Sequence, residues 1–151
     1  MRKKREIKNE IRWRMPSLSV NEGLARAMVA AFCAQANPTA TEIADIKCAV
    51  SEAVTNCTVH AYRDTVGEIQ ITARMLADDS VEIEIKDRGC GIPDVACARQ
   101  PLYTTDAEGE RSGMGFTVME SFTDKMRVRS RVGKGTTVVL IKKLNGRQVD
   151  Y

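Results

Sequence analysis

The chain has 151 residues, enough for one domain with one buried core and too few for two. Its 43% hydrophobic and 28% charged residues are ordinary for a soluble globular protein, and a formal charge of +3 is too small to argue for nucleic acid as a partner. No apolar run is long enough to cross a bilayer, and Met1-Arg2-Lys3-Lys4-Arg5-Glu6 lacks the apolar stretch of a signal peptide, so a cytoplasmic protein away from membranes is expected.

In chain order, Ile7, Ile11, Trp13 and Met15 alternate with Lys8, Glu10, Arg12 and Arg14, with one slip at Asn9, the pattern of a strand with one wet face. Ser19 and Glu22 form a capping-box signature, and Leu24, Ala27, Met28, Ala31 and Phe32 follow at helical spacing until Asn37-Pro38 stops the helix. Thr39 and Glu42 repeat the signature, and Ile43, Ile46, Ala49, Val50, Ala53, Val54 and Cys57 carry an apolar stripe toward Tyr62, which predicts a long second helix. Ile69, Ile71, Ala73 and Met75, then Val81, Ile83 and Ile85, alternate with polar residues on either side of Asp78-Asp79-Ser80, a hairpin pattern. Gly89 to Gly113 is irregular and reads as a lid. A short helix opens at Gly113-Met114-Gly115-Phe116 and runs through Glu120, and two strands at Met126–Val128 and Thr136–Ile141 flank the turn Gly133-Lys134-Gly135. This order predicts a two-layer α/β sandwich, with helices on one face of a largely antiparallel sheet. All of residues 1–151 form one domain in this reading, with 1–5 and 144–151 as flexible tails.

Glu52 and Asn56 are four residues apart and project from one face of the second helix. A carboxylate beside a neutral oxygen suits a base next to a metal ion, and magnesium accepts one amide oxygen when phosphate oxygens complete its shell. Asp87 has the parity of Val81, Ile83 and Ile85, so its carboxylate emerges on the core side at the strand's end and needs a partner, of which an adenine amino group is one candidate. Gly89 and Gly91 allow close backbone approach. Gly113 and Gly115 at a helix start let amides reach phosphate oxygens, and Arg111 offers a planar fork to a γ-phosphate. These glycines have neither Walker nor dinucleotide spacing. Each feature alone is also compatible with a solvated helix face, an aspartate turn or a flexible loop; their succession points to ATP. His60 is the one histidine and reads as structural. Five cysteines without a Cys-x-x-Cys pair suggest neither disulfides nor a zinc knuckle, and most are expected to be reduced core residues.

Three runs carry a resemblance over about Trp13 to Lys142: Val50-Ser51-Glu52-Ala53-Val54-Thr55-Asn56, Ala98-Arg99-Gln100-Pro101-Leu102-Tyr103-Thr104-Thr105 and Glu110-Arg111-Ser112-Gly113-Met114-Gly115-Phe116-Thr117. In these the chain resembles the anti-sigma-factor serine kinases of the Bergerat-fold (GHKL, histidine-kinase-like) ATPase superfamily. The resemblance implies that fold, with a mixed, mostly antiparallel sheet. It implies Glu52 as general base, Asn56 as magnesium ligand, Asp87 as acceptor for the adenine amino group and Arg111 at the γ-phosphate of ATP. It extends the ATP/ADP pocket to Gly89, Gly91, Ile92, Thr104, Thr105, Ser112, Gly113, Met114, Gly115, Phe116 and Thr136, and makes Arg26 a partner-binding residue. It further implies a homodimer that binds a sporulation sigma factor of the sigma-F type and phosphorylates a serine of an anti-anti-sigma factor. A general-stress anti-sigma-B type kinase and a nucleotide-gated binding module without transfer are the alternatives. Ala61 stands where the family commonly has glycine.

Overall fold

The computed structural model describes residues 6–100 and 115–145. Among these, strand β1 (Ile7–Pro16) leads to α1 (Asn21–Cys33), a 3₁₀ turn (Ala34–Ala36) and α2 (Ala40–Asn56), which ends in a π-helical turn (Cys57–Ala61). Strands β2 (Glu68–Leu76) and β3 (Ser80–Asp87), the short helices α3 (Val95–Ala98) and α4 (Gly115–Ser121), and strands β4 (Lys125–Arg131) and β5 (Gly135–Lys143) follow. The sheet order is β1-β2-β3-β5-β4. Every pairing is antiparallel, so the sheet is not mixed as the resemblance implied.

Period-two patterning decides which face meets the helices. Ile69, Ile71 and Ala73 of β2, Val81, Ile83 and Ile85 of β3, Met126 of β4 and Val138 and Leu140 of β5 join one core cluster with Val29, Phe32, Ile46, Val50, Val54 and Met119 of the helices. The slip at Asn9 is a register irregularity between Ile7 and Asn9 in the β1–β2 ladder. On the opposite face Arg74 of β2 binds three carboxylates on its two neighbouring strands, Glu10 of β1 at 2.8 Å and Glu82 and Glu84 of β3 at 3.0 Å and 3.1 Å. This cross-strand cluster sets polar against apolar sides of the sheet.

The two helix starts differ from each other. At α2 the Thr39 hydroxyl accepts from the Glu42 amide at 3.1 Å and Glu42 Oε1 accepts from the Thr39 amide at 2.8 Å, the reciprocal capping box. At α1 the expected box does not form: the N-cap is Val20, with no side-chain cap. Glu22 is drawn instead to Arg26, 3.6 Å away on the next turn, and to the Ser51 hydroxyl of α2. The apolar stripe of α1 is also rotated from its predicted position. Ala25, Val29, Phe32 and Cys33 are buried, whereas Leu24, Ala27 and Ala31 are exposed. Small alanines carry little burial energy, so the larger Val29 and Phe32 decide which side packs.

Leu144 and Asn145, expected to lie in a flexible tail, are held in place. Leu144 is buried and its amide donates to Asp79 O, and the Asn145 amide donates to Glu42 Oε2 at 2.8 Å. Glu42 thereby serves α2 and the end of β5 together. Of the cysteines, Cys33 and Cys57 are buried, Cys97 is half-buried, and Cys48 and Cys90 are exposed, so most are not core residues.

Thr39→Ala should lower unfolding free energy by about 1 kcal/mol, the usual worth of an N-cap, while Ser19→Ala should change it by less than about 0.5 kcal/mol. Urea denaturation of both variants checks this, and equal losses would contradict the assignment.

Candidate functional site

The long second helix places Glu52 and Asn56 half-buried on one side, with Ala53 and Val54 in the core. Helix α4 packs across α2 at this point because residue 115 has no side chain. A Cβ on Gly115 would lie 3.2 Å from Asn56 Oδ1 and 3.3 Å from Glu52 Oε2. The acid, the amide and the backbone of Gly115 therefore converge on one small volume, from two sequence segments some sixty residues apart.

Asp87 closes the other half. It is 5% exposed at the end of β3, on the core side that its parity predicts. Oδ1 accepts from the Gly89 amide at 2.9 Å and the Thr136 amide at 3.2 Å. Oδ2 accepts from the Cys57 thiol at 3.5 Å. Burial pushes the Asp87 carboxyl above its ordinary pKa, opposed by the donors Gly89, Cys57 and Thr136. Burial, then the Asp87 charge, pushes the Cys57 thiol well above its ordinary value, so the sulfur remains a protonated donor.

The glycines around Asp87 mark close backbone contacts. A Cβ on Gly89 would lie 2.4 Å from the Ala61 carbonyl oxygen, and one on Gly91, at φ +76°, would lie 2.3 Å from the Arg131 carbonyl oxygen. Gly135, which the sequence reading used only as a turn residue, has φ +116° and would meet the Asp87 carbonyl oxygen at 2.2 Å. Such positions exclude side chains on steric grounds. The Ile92 amide donates to Ser130 Oγ at 2.7 Å, and Ser130 Oγ lies 2.7 Å from Thr136 Oγ1. This ties the loop after β3 to the β4–β5 hairpin. Phe116 is buried in the core at the start of α4.

The π-helical turn supplies the remaining wall. The Tyr62 amide donates to Cys57 O five residues back, the wider pitch found at functional positions in helices. It brings Ala61 O to the Cys90 amide at 3.0 Å. The Tyr62 hydroxyl donates to Glu68 O and accepts from the Arg88 amide, both at 2.6 Å. Ala61 is accommodated because its neighbour Gly89 has no Cβ, which would come within 2.6 Å of the Ala61 Cβ.

The structure thus brings together Glu52, Asn56 and Gly115, and separately Asp87, Gly89, Gly91, Ile92 and Thr136. Arg26 lies on α1, 42% exposed in its side chain, with Nη1 donating to Ser51 Oγ at 3.3 Å, beside Glu52 in sequence. Thr104, Thr105, Arg111, Ser112, Gly113 and Met114 lie outside the described residues. Sequence reasoning missed Cys57, Tyr62, Ser130 and Gly135. A π-turn leaves no periodic signature beyond the helix pattern, and Ser130 and Gly135 matter only through strand pairing.

Gly89→Ala should destabilise the protein by about 1–3 kcal/mol, the scale of overpacking, because the obstacle is backbone. Gly23→Ala, whose nearest added contact is the flexible Arg26 guanidinium at 3.8 Å, should be neutral or stabilise by up to about 1 kcal/mol. Chemical denaturation compares the two, and a Gly89→Ala variant as stable as the parent would contradict the close packing.

Comparison with known proteins agrees with this architecture. Residues 15–142 match the model of the histidine kinase-like ATPase domain. The chain is 54% identical over 137 residues to the anti-sigma F factor of Caldanaerobacter subterraneus subsp. tengcongensis, covering 91% of this chain and 95% of that one. It is 48% identical over 136 residues to the anti-sigma F factor of Geobacillus stearothermophilus, covering 90% and 93%. Among solved structures, the RsbU and RsbW domains of Rv1364c from Mycobacterium tuberculosis align with TM-score 0.68 at 23% identity. The alignment covers 95% of this chain but spans about a third, 35%, of that longer one, and it speaks for the fold. The chain belongs to the histidine kinase-like ATPase family and, within it, to the anti-sigma F factors.

Proposed function

We propose that the chain is a cytoplasmic, homodimeric anti-sigma factor that binds a sporulation sigma factor and uses ATP with magnesium to phosphorylate a serine of an anti-anti-sigma factor. The anti-sigma part is supported by relatives about half identical over nine-tenths of the chain. The kinase part is carried by one observation, the packing of Gly115 against both Glu52 and Asn56. A pure nucleotide switch has no need of a carboxylate at that point, whereas transfer to a hydroxyl does.

Asn56 fits magnesium. It offers one neutral oxygen, Oδ1, beside Gly115 and Glu52. Among the described residues no group of three or more His, Cys, Asp or Glu side chains forms a metal cage, which suits an ion whose other ligands are phosphate oxygens and water. When bound, the ion neutralises phosphate charge. Asp87 accepts the adenine amino group, with Thr136 and Gly91 shaping that end of the pocket. Glu52 orients the acceptor serine and takes its proton as the serine oxygen bonds to the γ-phosphorus and the bond to the β-phosphate oxygen breaks, leaving ADP. Arg111 is assigned to the γ-phosphate from the sequence. Arg26, anchored by Glu22 and Ser51 and still exposed, presents a guanidinium to a protein partner on the surface next to Glu52 in sequence.

Incubating the full chain with labelled ATP, magnesium and an anti-anti-sigma protein should label a serine of that protein. Glu52→Ala should lower the rate by roughly 10²- to 10⁴-fold with nucleotide affinity retained. Equal rates for both chains would remove Glu52 as the base, and no label despite measured ATP binding would favour a nucleotide-gated binding module.

A further inference from the structure

The proposed nucleotide site contains a side chain that none of the site assignments uses. Cys57 is 4% exposed, one residue beyond Asn56, and its sulfur lies 3.5 Å from Asp87 Oδ2. An ionised carboxylate oxygen accepts about two hydrogen bonds. Oδ1 is filled by the backbone amides of Gly89 and Thr136. Oδ2 has the thiol as its donor among the described residues and retains one acceptor position.

We propose that Cys57 is a positioning residue for nucleobase selection: its thiol holds Asp87 Oδ2 as an oriented, ionised acceptor for an exocyclic amino group and against a carbonyl. The inference rests on the proposed role of Asp87 and deepens it. A carboxylate can only accept, so it pairs with an amino group and repels a carbonyl oxygen. A carboxylic acid could donate to that carbonyl, and selection would fade. Asp87 lies where burial favours the neutral acid, so each donor to the charged form preserves the discriminating state. Two of these donors are main-chain amides fixed by the fold. The third is a side chain, and the choice of residue 57 alone sets it. Alanine at 57 would leave Oδ2 a donor short in a nearly waterless position, where an unmade bond is costly. Cys57 does not touch the phosphates or the acceptor serine in this scheme, so it acts on base choice and not on transfer.

The test is a double-mutant cycle on the full chain, measured by calorimetric titration with magnesium ATP and magnesium inosine triphosphate, which carries a carbonyl in place of the adenine amino group. Cys57→Ala should lower the ATP-over-inosine preference about fivefold, the worth of one modest hydrogen bond, and kcat with saturating ATP should stay within about twofold. Asp87→Asn should abolish most of the preference, and adding Cys57→Ala to it should change the preference no further. Cys57→Ser, which keeps a donor, should retain more of the preference than Cys57→Ala and gives the comparison if the alanine variant does not fold. An unchanged preference in Cys57→Ala beside a reduced one in Asp87→Asn overturns the inference alone. So does an equal loss from Cys57→Ala in both backgrounds. An unchanged preference in Asp87→Asn overturns the reading of Asp87 itself.

Discussion

A carboxylate buried at the end of a core strand is the constraint on which the rest of the site depends. Moving an ionised carboxylate out of water costs several kcal/mol unless hydrogen bonds replace the lost solvation. Asp87 receives them from three places: the loop after β3 through Gly89, β5 through Thr136, and the end of α2 through Cys57. The Gly89 amide is local, two residues along the chain, whereas Thr136 and Cys57 are remote in sequence. They meet only if β3 pairs with β5 in the observed register and α2 lies across the same end of the sheet. The polar group that a nucleotide would use thus also specifies how the layers come together.

The close contacts around Asp87 follow from that requirement. To place amides on Oδ1, the chain must pass close to other backbone at Gly89 and Gly135, and a Cβ at either would come within 2.4 Å of a carbonyl oxygen. The π-turn solves the corresponding problem on the helix side. One extra residue in the turn lets Cys57 face Asp87 while Ala61 O accepts from the Cys90 amide and Tyr62 returns to bridge Glu68 and Arg88. A regular α-helical end would place Ala61 and Tyr62 about 100° per missing residue away from these partners. The glycine that the family commonly has after the histidine is dispensable here, because the space for the Ala61 methyl group is left by Gly89 across the contact.

Much of this was legible in the sequence, for physical reasons that can be named. Period two located the strands and put Asp87 on the core face, because parity is a local property. The Thr39–Glu42 capping box was readable because its donors and acceptors are four residues of continuous chain. The same four-residue signature at Ser19–Glu22 failed because a non-local partner, Ser51 on α2, competes for the carboxylate. The α1 stripe was rotated for a related reason: a helix rich in alanine is apolar nearly all round, and only packing against α2 and the sheet selects the face. Glu52 and Asn56 were visible by spacing, whereas their meeting with Gly115 depends on how α4 crosses α2. Leu144 and Asn145 were expected to be free because the residues that hold them, Asp79 and Glu42, are far away in sequence.

In the proposed function the site divides into a base-binding half and a transfer half of different construction, and that division bears on how binding and transfer would be separated. The base half is set in the core: Asp87 and Thr136 are buried, and among the described residues the hydrogen bonds to the Asp87 carboxylate come from the main chain or from a buried thiol. Such groups are oriented before a ligand arrives, so little ordering entropy is lost on binding the base. The transfer half is built on half-buried side chains, Glu52 and Asn56, facing the first residue of a short helix. Helix α4 is joined to the sheet by its own buried residues Phe116 and Met119, and its position relative to α2 determines whether Glu52, Asn56 and the Gly115 backbone address the same atoms. A small displacement of α4 would leave the base half untouched while altering the geometry in which a proton is taken and a phosphoryl group moves, and rates fall steeply with such misplacement. In the proposed function, nucleotide recognition and phosphoryl transfer would therefore rest on different packing contacts, and a partner that touches one half could change transfer without displacing the nucleotide.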